Sequence, residues 1–459
     1  MQAANPPEPW SVPALADWYC GGDESGDQVG HAVAPAGDID GDGYGDVLVG
    51  APYDRLDASR EGVVSLFRGS PAGLPTTPDW QVGGGQQGSL FGAAVAGVGD
   101  VNGDGYDDVL VGAPGFNDGV NKKGAVFLYL GPLDGTATAP DWSFVGDQKD
   151  SLLGAAVASA GDVDGDGLDD FLIGAPGQSV AQTSEGAAFL FFGSDASISP
   201  VPEWSYYGGQ PAAGLGTSVA GGGDVDGDGY DDVLVGAPGY GFYYEDEGTA
   251  LLFFGTQDGL AASPGWQALG GQSDARFGTS VAGVGNVDAD GYDDLLVGAP
   301  GYATGLLVHG AAFLFRGDDP LPASSPAWMS HADQLASGFG RAVTGAGDVN
   351  GDGYDDVAVG AYTYTNDQAA EGATFIYYGS PGGLSSRPGW QAEGDKADTE
   401  FGYALGLVVS LQGDGLASLL VGAPRYRQST EPEGRALAFY GPLEPRHYLY
   451  LPLLRSEGP

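Results

Sequence analysis

The chain of 459 residues has a single cysteine, Cys20, so no disulfide can form within it, and Cys20 reads as a small buried residue. Cations are scarce: 16 lysines and arginines stand against 62 aspartates and glutamates, a formal net charge of −46. So strong an anion repels nucleic acid and anionic membrane surfaces and attracts cations. No run approaches the roughly eighteen apolar residues that span a bilayer. The Met1–Pro9 leader lacks the charged start and apolar stretch of a signal peptide. The four histidines (His31, His309, His331 and His447) fall at unrelated places in the pattern described next, and no nucleophile motif stands out. We therefore expect no enzyme. High charge can bring disorder, but 42% hydrophobic and 11% aromatic residues are enough to build cores.

What the sequence has in abundance is repetition. Tryptophan recurs at 18, 80, 142, 204, 266, 328 and 390, in steps of 62. A glycine before a run of small residues recurs at 30, 92, 154, 216, 278, 340 and 402, and another at 62, 124, 186, 248, 310, 372 and 434. Three marks keep one period seven times without slipping. Each unit reads as four strands. In the second, Phe91–Gly97 is a small-residue strand suited to a crowded ring axis. Val109–Pro114 is a continuous apolar strand covered on both faces and ended by Pro114, which has no N–H to donate. Gly124–Gly131 is the third strand, and the segment around Trp142 is an outer strand whose large ring covers the exposed edge.

Four-stranded units repeated radially predict an all-β, seven-bladed propeller of antiparallel strands. An open solenoid would need capping repeats with polar faces. The ends favour closure: Ala16-Asp17-Trp18 matches Pro78-Asp79-Trp80, and Ala436–Tyr440 is a third strand lacking an outer partner. The N-terminal strand is therefore expected to close the ring. The competing segment, Tyr448–Leu454, lacks the tryptophan and contains Pro452. The expected organisation is a leader at 1–15, a propeller at 16–441 and a tail at 442–459.

Between the first and second strands lies a nine-residue loop with oxygen donors at positions 1, 3, 5 and 9, and the backbone carbonyl of position 7 can complete a shell. In the first unit these are Asp38, Asp40, Asp42, Tyr44 and Asp46, and in the second Asp100, Asn102, Asp104, Tyr106 and Asp108. The third has Asp162, Asp164, Asp166, Leu168 and Asp170, and the fourth Asp224, Asp226, Asp228, Tyr230 and Asp232. The fifth has Asn286, Asp288, Asp290, Tyr292 and Asp294, with Ala289 for the usual glycine, so weaker binding is expected there. The sixth has Asp348, Asn350, Asp352, Tyr354 and Asp356. Hard oxygen donors without histidine or cysteine favour Ca2+ over zinc. An EF-hand would need a bidentate glutamate at position 12, where these loops have valine or isoleucine. The seventh loop, Ser410–Ser418, keeps one carboxylate of four, and no calcium is expected there. Six divalent ions would bring the charge of −46 to about −34.

Phe-Gly at 91–92, 277–278, 339–340 and 401–402, the acidic loop, and Gly-Ala-Pro at 50–52, 112–114, 174–176, 236–238, 298–300 and 422–424 together resemble the FG-GAP repeat. The resemblance covers about residues 16–441. It implies the seven-bladed propeller of integrin α subunits and related bacterial proteins, with calcium on the lower face and partner binding on the upper. Val29, Leu153 and Leu215 replace the phenylalanine, and Tyr362 replaces the proline of the sixth unit. With no further integrin domains in the sequence, a free-standing bacterial propeller is expected. We expect an extracellular or cell-surface monomer that binds a protein, or alternatively a glycan, on the face opposite the calcium loops, with a polysaccharide-degrading propeller as the remaining alternative. The loops after the second strand lie on that face and differ most between units. Tyr240, Phe242, Tyr243 and Tyr244 in the fourth, with Tyr362 and Tyr364 in the sixth, are the candidate ligand contacts.

Overall fold

In every unit the second strand has no polar face, and it is buried along its whole length, as in Asp46–Ala51, Val109–Ala113 and Ala417–Ala423. Strands of this kind need cover on both sides. A computed structural model, which describes residues 16–22, 24–56, 60–318, 321–427 and 432–443, shows how they obtain it. Seven four-stranded antiparallel sheets stand as blades around a channel, each running from an inner first strand to an outer fourth. The first blade comprises Ala32–Gly37, Asp46–Ala51, Val63–Phe67 and Trp80–Gly83. The inner strands supply the small residues that line the channel, among them Ala32, Ala94, Ala156 and Ala342. Blade five carries one addition, a short hairpin of Ala303–Thr304 with Leu307–Val308.

The core lies between blades. Each of seven buried clusters draws on two neighbours: one joins Leu48 and Leu66 of the first blade to Val109 and Val111 of the second, another joins Leu420 of the seventh to Val47 of the first. Glycine makes this approach possible. A Cβ on Gly112, in the Gly-Ala-Pro segment, would stand 2.1 Å from the carbonyl oxygen of Gly154 in the next blade, and Gly422 meets Gly30 in the same way across the closing interface. The two glycines of the repeat are thus the places where adjacent blades touch.

Tryptophan also works between blades. Although on the outer strand, Trp80 is 1% exposed and Trp18 6%. The expectation that these rings cover an exposed edge is corrected: each lies against the next blade. Trp18 packs edge-on to Phe67 at 4.9 Å, Trp80 to Tyr129 at 5.2 Å, and Trp390 to Phe439 at 5.1 Å. Its indole N–H donates into the following blade as well, Trp18 to the Pro75 carbonyl at 2.7 Å and Trp142 to that of Ser199 at 3.0 Å. An edge-to-face contact and a satisfied indole N–H are what a buried tryptophan requires.

Blade seven closes the ring with Trp18–Gly21 as its outer strand, paired antiparallel to Arg435–Phe439 with Trp18 opposite Ala438. The N-terminal closure expected from Asp17-Trp18 is therefore what the fold uses. The tail segment Tyr448–Leu454 lies outside the described residues. Overpacking of the interface glycine gives a direct check. Gly112→Ala should cost about 1–3 kcal/mol in urea unfolding, whereas Gly135→Ala, at an exposed glycine with only an ordinary 3.5 Å contact, should change stability by less than about 0.5 kcal/mol.

Candidate metal sites and the opposite face

The acidic loops between first and second strands sit side by side on one end of the ring, held in shape by their own carboxylates. In blade three, Asp162 accepts the N–H groups of Gly165, Asp166 and Gly167, and Asp166 accepts that of Leu168. Blades two and six repeat this with Asp100 and Asp348. Such turns suit alternating aspartate and glycine, since the side chain bonds its own backbone while glycine takes the left-handed conformation. Gly165 and Gly167 have φ of 74° and 90°. Ala289 of blade five is forced to φ 59° without that freedom.

Position 9 is the structural keystone of each loop. Asp46, Asp108, Asp170, Asp232, Asp294 and Asp356 are at most 1% exposed. Each accepts two backbone N–H groups, Asp170 from Val163 at 3.1 Å and Gly193 at 2.9 Å. Burial pushes their carboxyls up to about 7 or 8, with the hydrogen bonds opposing it and neighbouring loop aspartates adding to it. In three of the loops, three of the expected donors lie close together. Ligand atoms of Asp38, Asp40 and Asp42 lie within 4.8 Å of one another, as do those of Asp162, Asp164 and Asp170, and of Asp224, Asp226 and Asp228. One buried carboxylate oxygen on each of Asp40 and Asp288 has no hydrogen-bond partner. An oxygen-only cluster with orphaned buried oxygens fits a hard cation such as calcium.

The blade-seven loop is held differently. Ser410 N–H donates to the Leu416 carbonyl and Gly413 N–H to that of Ser410, while Asp414 alone of the usual carboxylates remains and accepts the Leu416 N–H at 3.1 Å. Its ladder continues without a register shift to Val409 opposite Ala417, whereas blades one, three and four shift register there.

Three features of this face were not anticipated. Position 8 is an aspartate in five blades, and its carboxylate accepts the position 1 N–H of the preceding blade: Asp107 from Asp38 at 2.6 Å, Asp169 from Asp100 at 3.0 Å, Asp231 from Asp162 at 2.9 Å, and likewise Asp293 and Asp355. Gly45 and Ala417 occupy this position in blades one and seven. The position 7 side chain covers the preceding loop, Tyr230 lying on Gly165 and Tyr44 on Gly413. Finally, Arg68 pairs with Asp40 at 3.2 Å and Arg316 with Asp288 at 2.8 Å, so blades one and five carry a built-in cation at position 3. The first two recur at the 62-residue period and were legible as recurrences, but not as contacts, whereas the arginine stands in only two blades.

On the opposite face, the loops after the second strand in blades one, three, four, six and seven end at a buried glutamate that precedes the third strand, where blades two and five have Lys123 and His309. Glu247, fully buried, accepts the N–H groups of Phe242 and Tyr243 at 2.7 Å each, and Glu185 holds Val180, Ala181 and Gln182 in the same manner. Phe242, Tyr243 and Tyr244 are exposed, at 60%, 74% and 50%. Tyr240 is half-buried against the core of blades three and four. Tyr362 is half-buried, 5.9 Å from Tyr403. Tyr364 is buried against Phe375 at 5.6 Å, which removes it from the exposed aromatic set expected of this face.

The FG-GAP repeat matches residues 29–67, 91–129, 153–191, 215–253, 277–309 and 339–377. The seventh unit, with its degenerate loop, is not among the matched segments. Integrin alpha-5 of Xenopus laevis is 35% identical over 219 residues, 46% of this chain and 20% of that protein. Integrin alpha pat-2 of Caenorhabditis briggsae is 31% identical over 284 residues, 57% of this chain and 22% of that protein. Integrin alpha-V of Gallus gallus is 35% identical over 239 residues, 48% of this chain and 21% of that protein. The matches thus span about a fifth of the length of these curated relatives. No helix among the described residues is long and apolar enough to cross a membrane.

The buried position 9 carboxyls set a pH dependence for the calcium-free protein. Their folded values near 7 or 8 lie above the usual 3.8, so the native state holds more protons than the unfolded chain in between. Stability in chelator should therefore fall as pH rises from about 4 to 8. The urea midpoint should be higher at pH 5 than at pH 8, and the reverse order would contradict the burial described.

Proposed function

The chain belongs to the FG-GAP repeat β-propellers of the integrin-α type, and from that premise we propose that it is a non-enzymatic, extracellular adhesion or protein-binding module. In this reading structural calcium sits on one face and the partner on the other. The ligands are the position 1, 3, 5 and 9 side chains of blades one to six, with the position 7 carbonyl completing each shell. Calcium in extracellular modules binds at roughly 0.1–1 mM, which suits an exterior setting.

One observation carries the protein-binding reading. In four consecutive blades the loop after the second strand ends in exposed apolar side chains: Val120 at 80%, Val180 at 60%, Tyr243 at 74% and Leu306 at 100%. Apolar groups gathered on one rim of a rigid, otherwise acidic scaffold mark a surface that a partner covers. The exposed Phe242 and Tyr243, edge-to-face at 4.5 Å, are the feature a glycan-binding alternative would use, since sugars stack on such rings.

The combined variant Tyr243→Ser, Leu306→Ser should lose capture of protein from the native surface by at least about tenfold, with its melting temperature and calcium dependence unchanged. Full retention of capture would remove the apolar rim from the partner site. On a glycan array, sugar binding that is lost in Tyr243→Ser and kept in Leu306→Ser would favour the glycan reading.

A further inference from the structure

The residue after the first glycine mark, the series that begins at Gly30 and Gly92, occupies the same place in every blade, at the mouth of the channel on the upper face. Its size is unequal around the ring. Blades two and three carry Ala93 and Ala155, whereas blades six, seven and one carry Arg341, Tyr403 and His31 in succession. The large three form one cluster. The Arg341 guanidinium lies 5.2 Å from the Tyr403 ring centre, and the His31 ring is 5.1 Å from it on the blade-one side. Tyr362 stands perpendicular to Tyr403 at 5.9 Å. A cavity of about 400 Å³ opens beside them, between blades seven and one, with His31 and Tyr403 in its wall together with Gln28, Glu400 and Arg425.

The charge at this mouth runs against the rest of the molecule. Of the two acidic side chains that line the mouth and its cavity, Glu400 is taken by Arg425 at 3.2 Å, and Asp246 belongs to blade four. Arg341 has neither an ion pair nor a side-chain hydrogen bond among the described residues, in a chain with a net charge of −46. Burial and the adjacent Arg341 press the His31 imidazole down to about 4, so at neutral pH the ring is uncharged and Arg341 carries the positive charge. An arginine held against an aromatic face, half-buried and without a partner, is a preorganised fork for a carboxylate. The repulsion of distant acids is screened beyond about 8 Å at physiological ionic strength, which leaves the local charge in control.

We propose that the channel mouth over blades six, seven and one binds an acidic side chain of a protein partner, its carboxylate taken by Arg341 with Tyr403 holding the guanidinium in place. The assignment rests on the protein-binding reading above and names the chemistry of the partner: a glutamate or aspartate inserted at the axis, next to apolar contacts on the rim of blades two to five.

The test is a titration of the calcium-loaded protein with a tetraglutamate peptide and its tetraglutamine counterpart at physiological ionic strength. The wild type should bind tetraglutamate at least about tenfold more tightly than tetraglutamine. Arg341→Ala should abolish that preference, and Arg341→Lys should keep part of it, since a point charge replaces the fork. All three proteins should melt at the same temperature. Equal binding of the two peptides by the wild type, no binding of either, or a preference that survives Arg341→Ala would overturn the proposal. So would Arg341-dependent binding of oligogalacturonate in place of the peptide. Each of these failures leaves the rim variants free to report separately on whether a protein binds this face at all.

Discussion

Carboxylates gathered closer than water would tolerate are the constraint on which this ring depends. Three of the six acidic loops bring three carboxylates within 4.8 Å of one another, and in all six the last aspartate is buried and committed to two backbone N–H groups. Neighbouring loops are tied by further aspartates, so acid builds the lower face as well as charging it. Arg68 and Arg316 relieve two of the six clusters. In the proposed reading the remainder takes cations from solution. Each site adds about 1.4 kcal/mol when free calcium is ten times its dissociation constant, so six together weigh as much as a small domain's whole stability. On the proposed reading calcium is a condition of the fold.

The ring divides its labour by height and by sector. Below, the loops are short, regular and acidic. Above, the loops differ from blade to blade, since a connection anchored only at its base is free to vary at its tip. Within that upper face, blades two to five present apolar tips and blades six, seven and one present an aromatic and cationic mouth. Blade seven is exceptional on both faces. It lacks the acidic loop and the position 8 tie to either neighbour, and its outer strand comes from the other end of the chain. Its hold on its neighbours comes from the tryptophan contacts, the buried clusters it shares with blades six and one, backbone hydrogen bonds and the closing sheet.

Much of this was legible in the residues. A period of 62 that never slips determines the blade number, and the likeness of Asp17-Trp18 to Asp79-Trp80 locates the closure. The donor positions were legible because calcium chemistry depends on side chains close in sequence. The contacts between blades were not. Trp18 reaches Phe67 and Pro75, and Asp38 reaches Asp107, across separations of 49, 57 and 69 residues. Recurrence shows that such residues matter, whereas only the packed ring shows what they touch. Tyr364 illustrates the opposite error: an aromatic residue in a variable loop looks available, yet it folds back onto Phe375. Arg341, unremarkable in a list of sixteen cations, gains meaning only when the topology places it beside Tyr403 and His31.

The most direct test of the account is to count calcium while watching the fold. Protein stripped with chelator and equilibrated against millimolar calcium should take up about six ions per chain. Its melting temperature should rise steeply over the same concentration range, and Asp170→Asn should remove one ion while Asp414→Asn removes none. Uptake of no calcium, or a melting temperature indifferent to its removal, would contradict the claim that metal is what allows so acidic a ring to stand.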